Sequence, residues 1–318
     1  MEGSDLAVVV VNHNSGEFLP RCVASVYAAA GDLALEIVVV DNASRDGSAG
    51  RVAAEHPAVR ILENPVNRGF AVAANQGIRE TAAPYALLLN PDAEITGGTL
   101  SGLLKVAGER PRAGAIGLLV RNPDGTVQPS ARKVPGLIES MGHAFLGPVL
   151  PNNPFTRAYT MAGWDRTTER EVEWISGSAM LLRREAYDEV GGFDESYFMY
   201  VEDVDLCTRM RNARWTVLFS PEVEVVHEIG VSSRSMPKRM AVEHSRSIYR
   251  YFDRHVARGP LVLLKPAVRL ALWLRARLAA RMRRPSRTGG LGGVARPERG
   301  DRGTSERADP PPPDGTGR

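Results

Sequence analysis

The stretch Tyr85-Ala-Leu-Leu-Leu-Asn-Pro-Asp92 joins a short apolar run to a polar turn. The apolar part, which Pro84 and Pro91 bound, predicts a buried strand. Asn90 and Asp92 follow the carboxyl end of that strand, where open α/β sheets bind their ligands. An amide there can hydrogen-bond a sugar hydroxyl, and a carboxylate can hold Mg²⁺ or Mn²⁺ against a diphosphate. A plain turn with a helix N-cap is the alternative, because Asn, Pro and Asp all favour turns.

Up to Val120, short apolar runs alternate with segments of helical periodicity. Strands are predicted at Leu6–Val11, Leu35–Val40, Val59–Leu62, Tyr85–Leu89 and Ala115–Val120. Helices are predicted between them, at Phe18–Ala30, Ser48–Glu55, Gly69–Glu80 and Thr99–Arg110. Because strands that alternate with helices form a mainly parallel, doubly wound sheet, the sequence predicts an α/β fold.

The second half of the chain is less regular. Residues 121–172 are rich in Pro, Gly and Asn, and they predict an insertion or an ordered lid. After them we predict a strand at Trp174–Arg183, a loop running into a helix at Phe198–Arg214, short strands at Thr216–Phe219 and Val223–Val226, and a helix at Ala241–Val256. We therefore expect residues 121–260 to complete the domain that residues 1–120 begin.

The composition, with 43% apolar and 24% charged residues in a chain of 318, is that of a globular protein. Cys22 and Cys207 have no metal-ligand spacing, so we expect two reduced, buried thiols in a cytosolic protein. The N-terminal apolar run is too short for a signal peptide and lacks a basic flank. No stretch reaches the roughly 18 uncharged apolar residues of a membrane-spanning helix. We therefore expect a protein that is neither secreted nor membrane-spanning.

The net charge is only +3, but the basic excess is concentrated toward the C-terminus. In residues 261–284, at about 100° per residue, a cationic arc faces an apolar arc, and Arg275 alone falls on the wrong side. The cationic arc holds Lys265, Arg269, Arg277, Arg281 and Arg284, and the apolar arc holds Leu264, Val268, Ala271, Leu278 and Met282. This pattern indicates either a helix on a membrane surface or a helix packed on the domain with a solvated cationic face. We do not expect nucleic acid as a partner, because aromatic residues do not interleave with the basic ones.

Several loops that follow predicted strands carry polar residues. The loop Asn12-His-Asn-Ser-Gly16 lacks the glycine fingerprint of a dinucleotide-binding turn, which argues against a nicotinamide or flavin enzyme. Asp41 follows the second strand and can accept hydrogen bonds from a base or a ribose hydroxyl, or else form a plain turn. Asn67, Arg68 and Gly69 precede a helix whose free N–H groups can bind anionic oxygen, with Arg68 pairing to phosphate. A surface loop with a solvated arginine is the alternative.

Another group of candidates follows the aromatic-rich segment Gly191–Tyr200. Glu202, Asp203 and Asp205 lie where a loop enters a helix, and a carboxylate there can act as general base on a hydroxyl. Asp203 and Asp205 can instead form a second metal site, or the acids can simply favour the helix start. We prefer Asp203 as the base and Asp205 as structural. His227, which follows a short strand, is a metal ligand, a phosphate donor or a structural residue.

Taken in order over residues 6–233, these motifs resemble the family 2 inverting glycosyltransferases with the GT-A fold. The resemblance implies a nucleotide-diphospho-sugar donor contacted by Asp41, and Asn67, Arg68, Gly69 and Asn90 are the further donor-binding candidates. It implies that Asn90-Pro-Asp92 replaces the metal-binding Asp-x-Asp of the family, with Asp92 holding Mg²⁺ or Mn²⁺ and His227 completing the metal and diphosphate site. The Glu202-Asp203 pair then supplies the catalytic base.

A narrower resemblance lies mostly in the insertion at 121–172. Segments there and just before it resemble actinobacterial rhamnosyltransferases: Arg112–Gly117, Asn122–Gly125, Pro129–Arg132, Leu146–Pro148 and Asn153–Tyr159. Those enzymes transfer L-rhamnose from a dTDP-sugar to N-acetylglucosaminyl-diphospho-decaprenol in cell-wall assembly. The resemblance implies a dTDP- or UDP-linked donor, a polyprenyl-diphosphate-linked acceptor, and a cytoplasmic enzyme peripheral at the inner face of the plasma membrane.

These inferences give a domain organisation and a function. Residues 1–120 are expected to bind the nucleotide sugar, 121–260 to bind the acceptor and catalyse, 261–284 to form the basic amphipathic helix, and 285–318, rich in Arg, Gly, Pro and Asp, to be a disordered tail. The expected reaction is a metal-assisted, inverting sugar transfer. The alternatives are transfer of another sugar or to another acceptor, a nucleotidyltransferase, and a catalytically weak, membrane-docking scaffold with the same fold.

Overall fold

A mixed β-sheet occupies the centre of the protein in the computed structural model, which describes residues 3–134, 150, 152–228 and 237–282, without the side chains of 237, 238 and 278–282. These residues all belong to one compact unit, residues 1–283. The segment Leu146–Pro148 and the expected tail, 285–318, lie outside the described residues. Among the described residues, the sheet has nine strands.

The first half of the sheet is parallel. It contains β1 (Leu6–Asn12), β2 (Leu35–Asp41), β3 (Arg60–Glu63) and β4 (Tyr85–Leu89), in the spatial order β3-β2-β1-β4. Strands β1 and β4 are almost wholly buried because helices cover both faces, which explains their continuous apolar sequences. Because the strands run the same way, their carboxyl ends lie at one edge; Asn12 pairs with Asp41 there.

The second half of the sheet mixes directions. It contains β5 (Ala93–Gly97), β6 (Ala113–Arg121), β8 (Arg170–Val172), β10 (Ala179–Arg183) and β11 (Thr216–His227). Strand β10 lies antiparallel between β4 and β6, and β11 pairs parallel with β6 but antiparallel with β5 and β8. The short strands β7 (Ala131–Arg132) and β9 (Trp174–Ile175) pair separately beside the sheet.

Helices cover the two faces of the sheet. On one face, α1 (Phe18–Ala30), α2 (Ser48–Glu55) and α4 (Leu100–Glu109) contribute core residues, and on the other α3 (Phe70–Arg79), α6 (Arg184–Glu189) and α7 (Glu202–Asn212) do so. The short helix α5 (Pro154–Thr160) lies in the predicted insertion. Cys22 and Cys207 are buried as free thiols in these two cores, as expected.

The C-terminal part is helical and differs in detail from expectation. Helix α8 (Pro237–Tyr251) continues into a π-helical turn, Phe252–Val256, and a 3₁₀ helix, Gly259–Leu264, leads into α9 (Lys265–Met282), which packs against α8. No helix among the described residues is long and apolar enough to span a membrane.

Where their side chains are described, the faces of α9 mostly agree with the predicted arcs, since Val268 and Ala271 are partly buried and Arg269 and Arg277 are exposed. Ala276 is buried and Arg275 partly buried, so the side that contacts the domain carries an arginine. The outer side exposes Leu270, Trp273 and Leu274 at 58%, 48% and 47%. The helical pattern groups residues by their angle around the helix axis, but it does not show which side of the helix packs against α8. The predicted positions Leu278, Arg281, Met282 and Arg284 lie outside the described side chains.

Candidate active site

A cavity of about 430 Å³ opens at the edge of the sheet where the parallel strands end. Most of the predicted site residues line it: Asn67, Gly69, Asn90, Asp92, Glu202, Asp203 and His227. Asp41 and Arg68 are not among the lining residues, although their neighbours Asn42 and Asn67 are. The fold therefore brings together candidates that are far apart in the sequence.

Asp92 and His227 meet at the end of β4 and the end of β11. His227 Nε2 lies 3.2 Å from Asp92 Oδ1 and 3.1 Å from Asn90 Nδ2. On the other side of the ring, His227 Nδ1 lies 3.1 Å from Gln128 Oε1, while Gln128 Nε2 donates to the backbone carbonyl of His227 at 2.8 Å. In this network Nδ1 is placed to donate to the amide oxygen of Gln128, and Nε2 is directed at Asp92 and Asn90.

These groups suit a divalent cation carried by a diphosphate. No group of three or more His, Cys, Asp or Glu side chains able to hold a metal occurs among the described residues. A single carboxylate with one imidazole nitrogen is nevertheless enough where phosphate oxygens and water supply the remaining ligands, as is usual for Mg²⁺. Gln128 would orient the imidazole from behind, as outer-shell partners of metal-binding histidines do.

The predicted nucleotide residue Asp41 is buried, and its carboxylate is used within the chain. Asn12 Nδ2 donates to Asp41 Oδ1 at 2.7 Å, and the backbone N–H of Ser44 donates to Oδ2 at 2.9 Å. Asn12 also donates to Ser48 Oγ at 2.8 Å, so Asp41 belongs to a fixed polar network below the cavity. Its predicted contact with the donor stays a prediction.

The turn before α3 is shaped by the chain itself. Asn42 Oδ1 accepts from the N–H of Arg68 at 3.1 Å, and Asn42 Nδ2 donates to the carbonyl of Gly69 at 3.0 Å. Gly69 has φ +89°, and a Cβ there would lie 2.5 Å from the carbonyl oxygen of Phe198. The close neighbour of this glycine is therefore the backbone of Phe198. The side chain of Arg68 is exposed and does not line the cavity.

Glu202 and Asp203 begin α7 after two strained residues. Tyr200 and Val201 have φ values of +70° and +69°, and a β-branched residue rarely adopts this conformation. Such strain persists only where the surrounding structure imposes it, and it clusters at functional sites. The two left-handed residues turn the chain so that both acids line the cavity.

The two carboxyl groups have different surroundings. Glu202 is buried, its Oε2 has no hydrogen-bond partner, and burial, followed by the charge of Asp203, raises its pKa well above the usual range. Burial also raises the pKa of Asp203, but the N–H groups of Gly177 and Val204, at 3.1 and 2.8 Å, oppose this rise, as does the charge of Arg132. Asp203 is thus the better stabilised anion of the pair.

Asp205 is fully buried and does not line the cavity. Arg209 Nε lies 2.6 Å from one of its oxygens, and His255 Nε2 lies 2.6 Å from the other. This geometry favours the structural role over a second metal site, because both oxygens already have partners. The contact with His255 ties α7 to the π-helical turn.

Arg132 is a cavity residue that the sequence analysis did not single out as a site residue. Its guanidinium carbon lies 5.1 Å from the ring centre of Tyr159 and 5.0 Å from that of Trp174. Arg132 Nη1 also donates to Tyr159 Oη at 3.0 Å. Two aromatic faces hold this cation in place, and its charge opposes the rise that burial causes in the pKa of Asp203. The available signal was that Arg132 and Tyr159 both fall in segments with the narrower resemblance.

The cavity thus combines a carboxylate–imidazole pair suited to a metal, a stabilised carboxylate suited to a base, and fixed cations. Arg239, whose guanidinium carbon lies 4.5 Å from the ring centre of Phe198, is a further cation on its wall. This arrangement can bind an anionic donor and deprotonate a hydroxyl in the same space. This inference rests on the presence of all these groups in one cavity and not on any single residue.

Comparison with known proteins agrees with this chemistry. Glycosyl transferase family 2 matches residues 7–191, a range that holds Asn90 and Asp92 and ends before Glu202. The chain is 38% identical over 290 residues to the N-acetylglucosaminyl-diphospho-decaprenol L-rhamnosyltransferase of Mycobacterium tuberculosis, covering 87% of this chain and 93% of that relative. It is 27% identical over 255 residues to rhamnosyltransferase WbbL of Escherichia coli, covering 78% of this chain and 92% of WbbL.

A solved structure supports the fold. A mannosyltransferase from Pyrobaculum calidifontis, determined in complex with GDP-Man and Mn²⁺, superimposes with a TM-score of 0.54 at 18% identity. The match covers 88% of this chain and 73% of that chain. The likeness concerns the fold, and together with the sheet order it confirms the predicted GT-A type α/β fold with a central, mainly parallel sheet.

Proposed function

The chain belongs to glycosyl transferase family 2 and is a glycosyltransferase, and we propose that it transfers L-rhamnose from dTDP-rhamnose to a lipid-linked N-acetylglucosamine acceptor in cell-wall assembly. The likeness to the mycobacterial relative, which extends over most of both chains, supports this choice of sugar and acceptor. The observation that carries the proposal is the meeting of Asp92, His227 and Asp203 in one cavity. A donor diphosphate and an acceptor hydroxyl each have a suitable group there.

The chemical step is one displacement with inversion. The acceptor hydroxyl attacks the anomeric carbon from the face opposite the diphosphate, its proton passes to Asp203, and the bond to the leaving diphosphate breaks. The transition state resembles an oxocarbenium ion, as in glycoside hydrolysis. Asp92 and His227 would hold Mg²⁺ or Mn²⁺, which neutralises the charge that develops on the departing diphosphate. A single displacement needs no protein nucleophile.

The other lining residues position the reactants. Asn90 and Asn67 line the same cavity and offer amide groups to the donor. Asp41 stabilises the turn beneath it through Asn12 and Ser44. Arg132, which two rings hold in place, should lose little side-chain entropy when it binds an anionic group.

A screen of sugar donors tests the proposal. Purified protein would be incubated with N-acetylglucosaminyl-diphospho-polyprenol, Mg²⁺ or Mn²⁺, and dTDP-rhamnose, dTDP-glucose, UDP-galactose, UDP-N-acetylglucosamine or GDP-mannose in turn. We expect product with dTDP-rhamnose alone, and an anomeric configuration opposite to that of the donor by NMR. Product with another donor instead would replace rhamnose, and retention of configuration would exclude the single displacement.

The proposed acceptor is linked to a lipid. We therefore also propose that the protein works at the cytoplasmic face of the membrane, with α9 against the lipid. Exposed apolar side chains on the 3₁₀ helix and on α9 support this, since Leu263 is 83% and Leu270 58% exposed. Arg277 lies 4.0 Å above the ring centre of Trp273, which places a cation beside an interfacial aromatic residue. Tryptophan and arginine at one surface suit the headgroup region of an anionic bilayer.

A further inference from the structure

A second cavity, of about 250 Å³, lies between α8 and α9. It is lined by Tyr200, Met240, Ala241, His244, Ser245, Arg275 and Ala276. Tyr200, Met240 and His244 line the catalytic cavity too, so the two spaces share a wall. We call this second space the annex.

Arg275 gives the annex an unbalanced positive charge. Its Nη1 is buried, and among the described residues it has no hydrogen-bond partner and no acidic side chain lines the annex. Burial lowers the pKa of the guanidinium, yet arginine stays protonated in proteins at neutral pH. A partly buried cation without an anion is costly, and a buried nitrogen left unpaired calls for an explanation. The simplest one is that a ligand supplies the missing anion.

The position of the annex indicates which kind of anion can bind there. Arg275 faces the domain, whereas Trp273 and Leu274, its neighbours on α9, are exposed on the outer side. An anion in the annex is therefore close to the surface that we propose faces the membrane. Tyr200, on the wall of the annex, precedes the base Asp203 by three residues, so their Cα atoms lie within roughly 11 Å. The shared wall therefore places an anion in the annex beside the cavity that contains Asp203.

We propose that the annex binds the diphosphate of a polyprenyl-diphosphate-linked acceptor, with Arg275 as its principal cation. The inference rests on the proposed function, because it concerns the acceptor of that reaction. The donor diphosphate gains charge as its sugar leaves and suits the metal site of Asp92 and His227. The acceptor diphosphate keeps its charge throughout the reaction, so a fixed guanidinium is sufficient to hold it. Arg239, on the wall of the catalytic cavity, adds a second positive charge nearby.

The test uses geranyl diphosphate as a soluble prenyl diphosphate, titrated calorimetrically into the full chain in EDTA so that no metal recruits the probe to Asp92. We expect Arg275→Gln to weaken binding by about tenfold or more, because it removes a charge-assisted hydrogen bond. Arg275→Lys should retain part of the affinity, since it keeps the charge. The matched control is Arg246→Gln on α8, whose side chain is exposed and pairs with Glu243.

Two further binding measurements distinguish the acceptor diphosphate from the other ligands that carry phosphate, the nucleotide and the lipid headgroup. Arg275→Gln should bind dTDP with Mn²⁺, and phosphatidylglycerol vesicles, as the wild type does. Equal loss of dTDP binding would assign Arg275 to the donor, and loss of vesicle binding alone would assign it to a lipid headgroup; either result overturns the proposal. Thermal unfolding checks the variant, which should be no less stable than the wild type because a buried, unpaired charge is removed.

Different results would contradict the role of the annex and the proposed function. If the wild type transfers sugar to the lipid-linked acceptor while Arg275→Gln binds geranyl diphosphate unchanged, the annex is not the diphosphate site although the function stands. If the wild type transfers nothing to that acceptor, the proposed function is wrong whatever the probe does. Support requires weaker probe binding in Arg275→Gln together with a raised KM for the lipid-linked acceptor and an unchanged KM for the donor.

Discussion

Glu202 and Asp203 are neighbours in the chain, but the protein stabilises the carboxylate of Asp203 better than that of Glu202. Two backbone N–H groups hold the carboxylate of Asp203, whereas Glu202 keeps a buried oxygen without any partner. Paired carboxyl groups whose surroundings separate their pKa values commonly divide the roles of acid and base between them. Glu202 therefore holds its proton more firmly than Asp203, and Asp203 is the group placed to accept the proton of the acceptor.

Asp203→Asn should abolish most of the transfer while leaving donor binding intact. The amide has nearly the same shape but cannot accept the proton, and loss of a general base costs about 10²–10⁴-fold in rate. Single-turnover transfer and calorimetric titration of the nucleotide measure the two quantities. Asp124→Asn, on an exposed loop, is the matched control. A folded Asp203→Asn protein with turnover within a few-fold of wild type would exclude Asp203 as the base.

Glu202 gives the free energy of unfolding a pH dependence of definite sign. Its pKa is raised in the folded chain, so the folded protein keeps a proton that the unfolded chain releases above about pH 4.3. The free energy of unfolding therefore falls as the pH rises from that value through the folded pKa. Glu202→Gln removes this titration, so we expect it to gain stability over the wild type as the pH rises and to match it near pH 4. Urea midpoints measure the difference, and a constant difference across the range contradicts the prediction.

Asp92→Ala should weaken Mn²⁺-dependent binding of dTDP and sugar transfer together, by at least about tenfold. His227→Ala should have a smaller effect in the same direction, because it removes a neutral ligand and leaves the carboxylate. Titration of Mn²⁺ into the protein with dTDP gives the affinities. Activity that survives both Asp92→Ala and a chelator would disprove the metal role, and an unchanged Mn²⁺ titration in His227→Ala would leave that histidine structural.

At the scale of residues, the sequence predicted best the groups that follow strands directly. Asp92 and His227 were chosen because each ends a strand, and strand ends meet whatever the intervening chain does. Gln128 and Arg132 were not chosen as site residues, because they lie in an irregular stretch whose path no periodicity reveals. For Asp41 the position at the strand end was right, but its side chain turns to Asn12 and Ser44, and a sequence does not state that direction.

At the scale of elements, the site depends on a contact between the turn before α3 and the loop before α7. The backbone N–H of Phe70 donates to the carbonyl of Phe198 at 2.8 Å, beside Gly69. Deeper in the core, Asn75 on α3 donates to the carbonyl of Phe193 at 2.9 Å and accepts from its N–H at 2.9 Å. Helix α3 thus fixes the loop before α7. This loop ends at the strained residues Tyr200 and Val201.

Gly69→Ala should destabilise the protein strongly. Its φ of +89° and ψ of 168° belong to a region that is almost restricted to glycine and costs another residue about 1–3 kcal/mol, and the new Cβ would also overlap Phe198. Gly47→Ala is the matched control, because Gly47 has φ +74° but open space around it, so about 1 kcal/mol is expected. Urea denaturation compares the two, and equal losses would show that the contact with Phe198 is unimportant.

The first four helices and the parallel strands were predictable because each is set by its own apolar pattern. The strand β5, Ala93–Gly97, was missed because it follows the polar turn at once and is stabilised by pairing with β11, more than a hundred residues later. Thr216–His227 is one strand with an irregular register, although two short strands were predicted there. The predicted strand Trp174–Arg183 is broken between Ile175 and Ala179. These differences arise from long-range pairing.

At the scale of the whole molecule, the C-terminal helices couple the catalytic cavity to an apolar outer surface. His255 anchors the π-helical turn to Asp205 on α7, and α9 packs on α8 over the annex. The sequence predicted a basic amphipathic helix here, but which side faces the domain depended on packing against α8. That packing places Arg275 inward and leaves Leu270, Trp273 and Leu274 free to enter a bilayer surface.

Vesicle binding tests that arrangement without disturbing the core. The triple variant Leu270→Ser, Trp273→Ser, Leu274→Ser should lose most of its co-sedimentation with phosphatidylglycerol vesicles, since it removes the apolar side chains that enter the interface. The matched control is Val66→Ser, an exposed apolar residue on another surface, at 63% exposure.

The cationic part of the same surface should act through charge alone. Arg269→Gln and Arg277→Gln should each weaken binding to phosphatidylglycerol vesicles by about fivefold, because a basic residue near an anionic surface contributes roughly 1 kcal/mol. Binding of the wild type should decline as salt rises, since the screening length shortens. The variants should show a weaker dependence on salt, and neutral phosphatidylcholine vesicles should not distinguish them from the wild type. If both arginine variants and the triple serine variant bind anionic vesicles as the wild type does, α9 is not the membrane contact, and the lipid-linked acceptor must reach the cavity from another side.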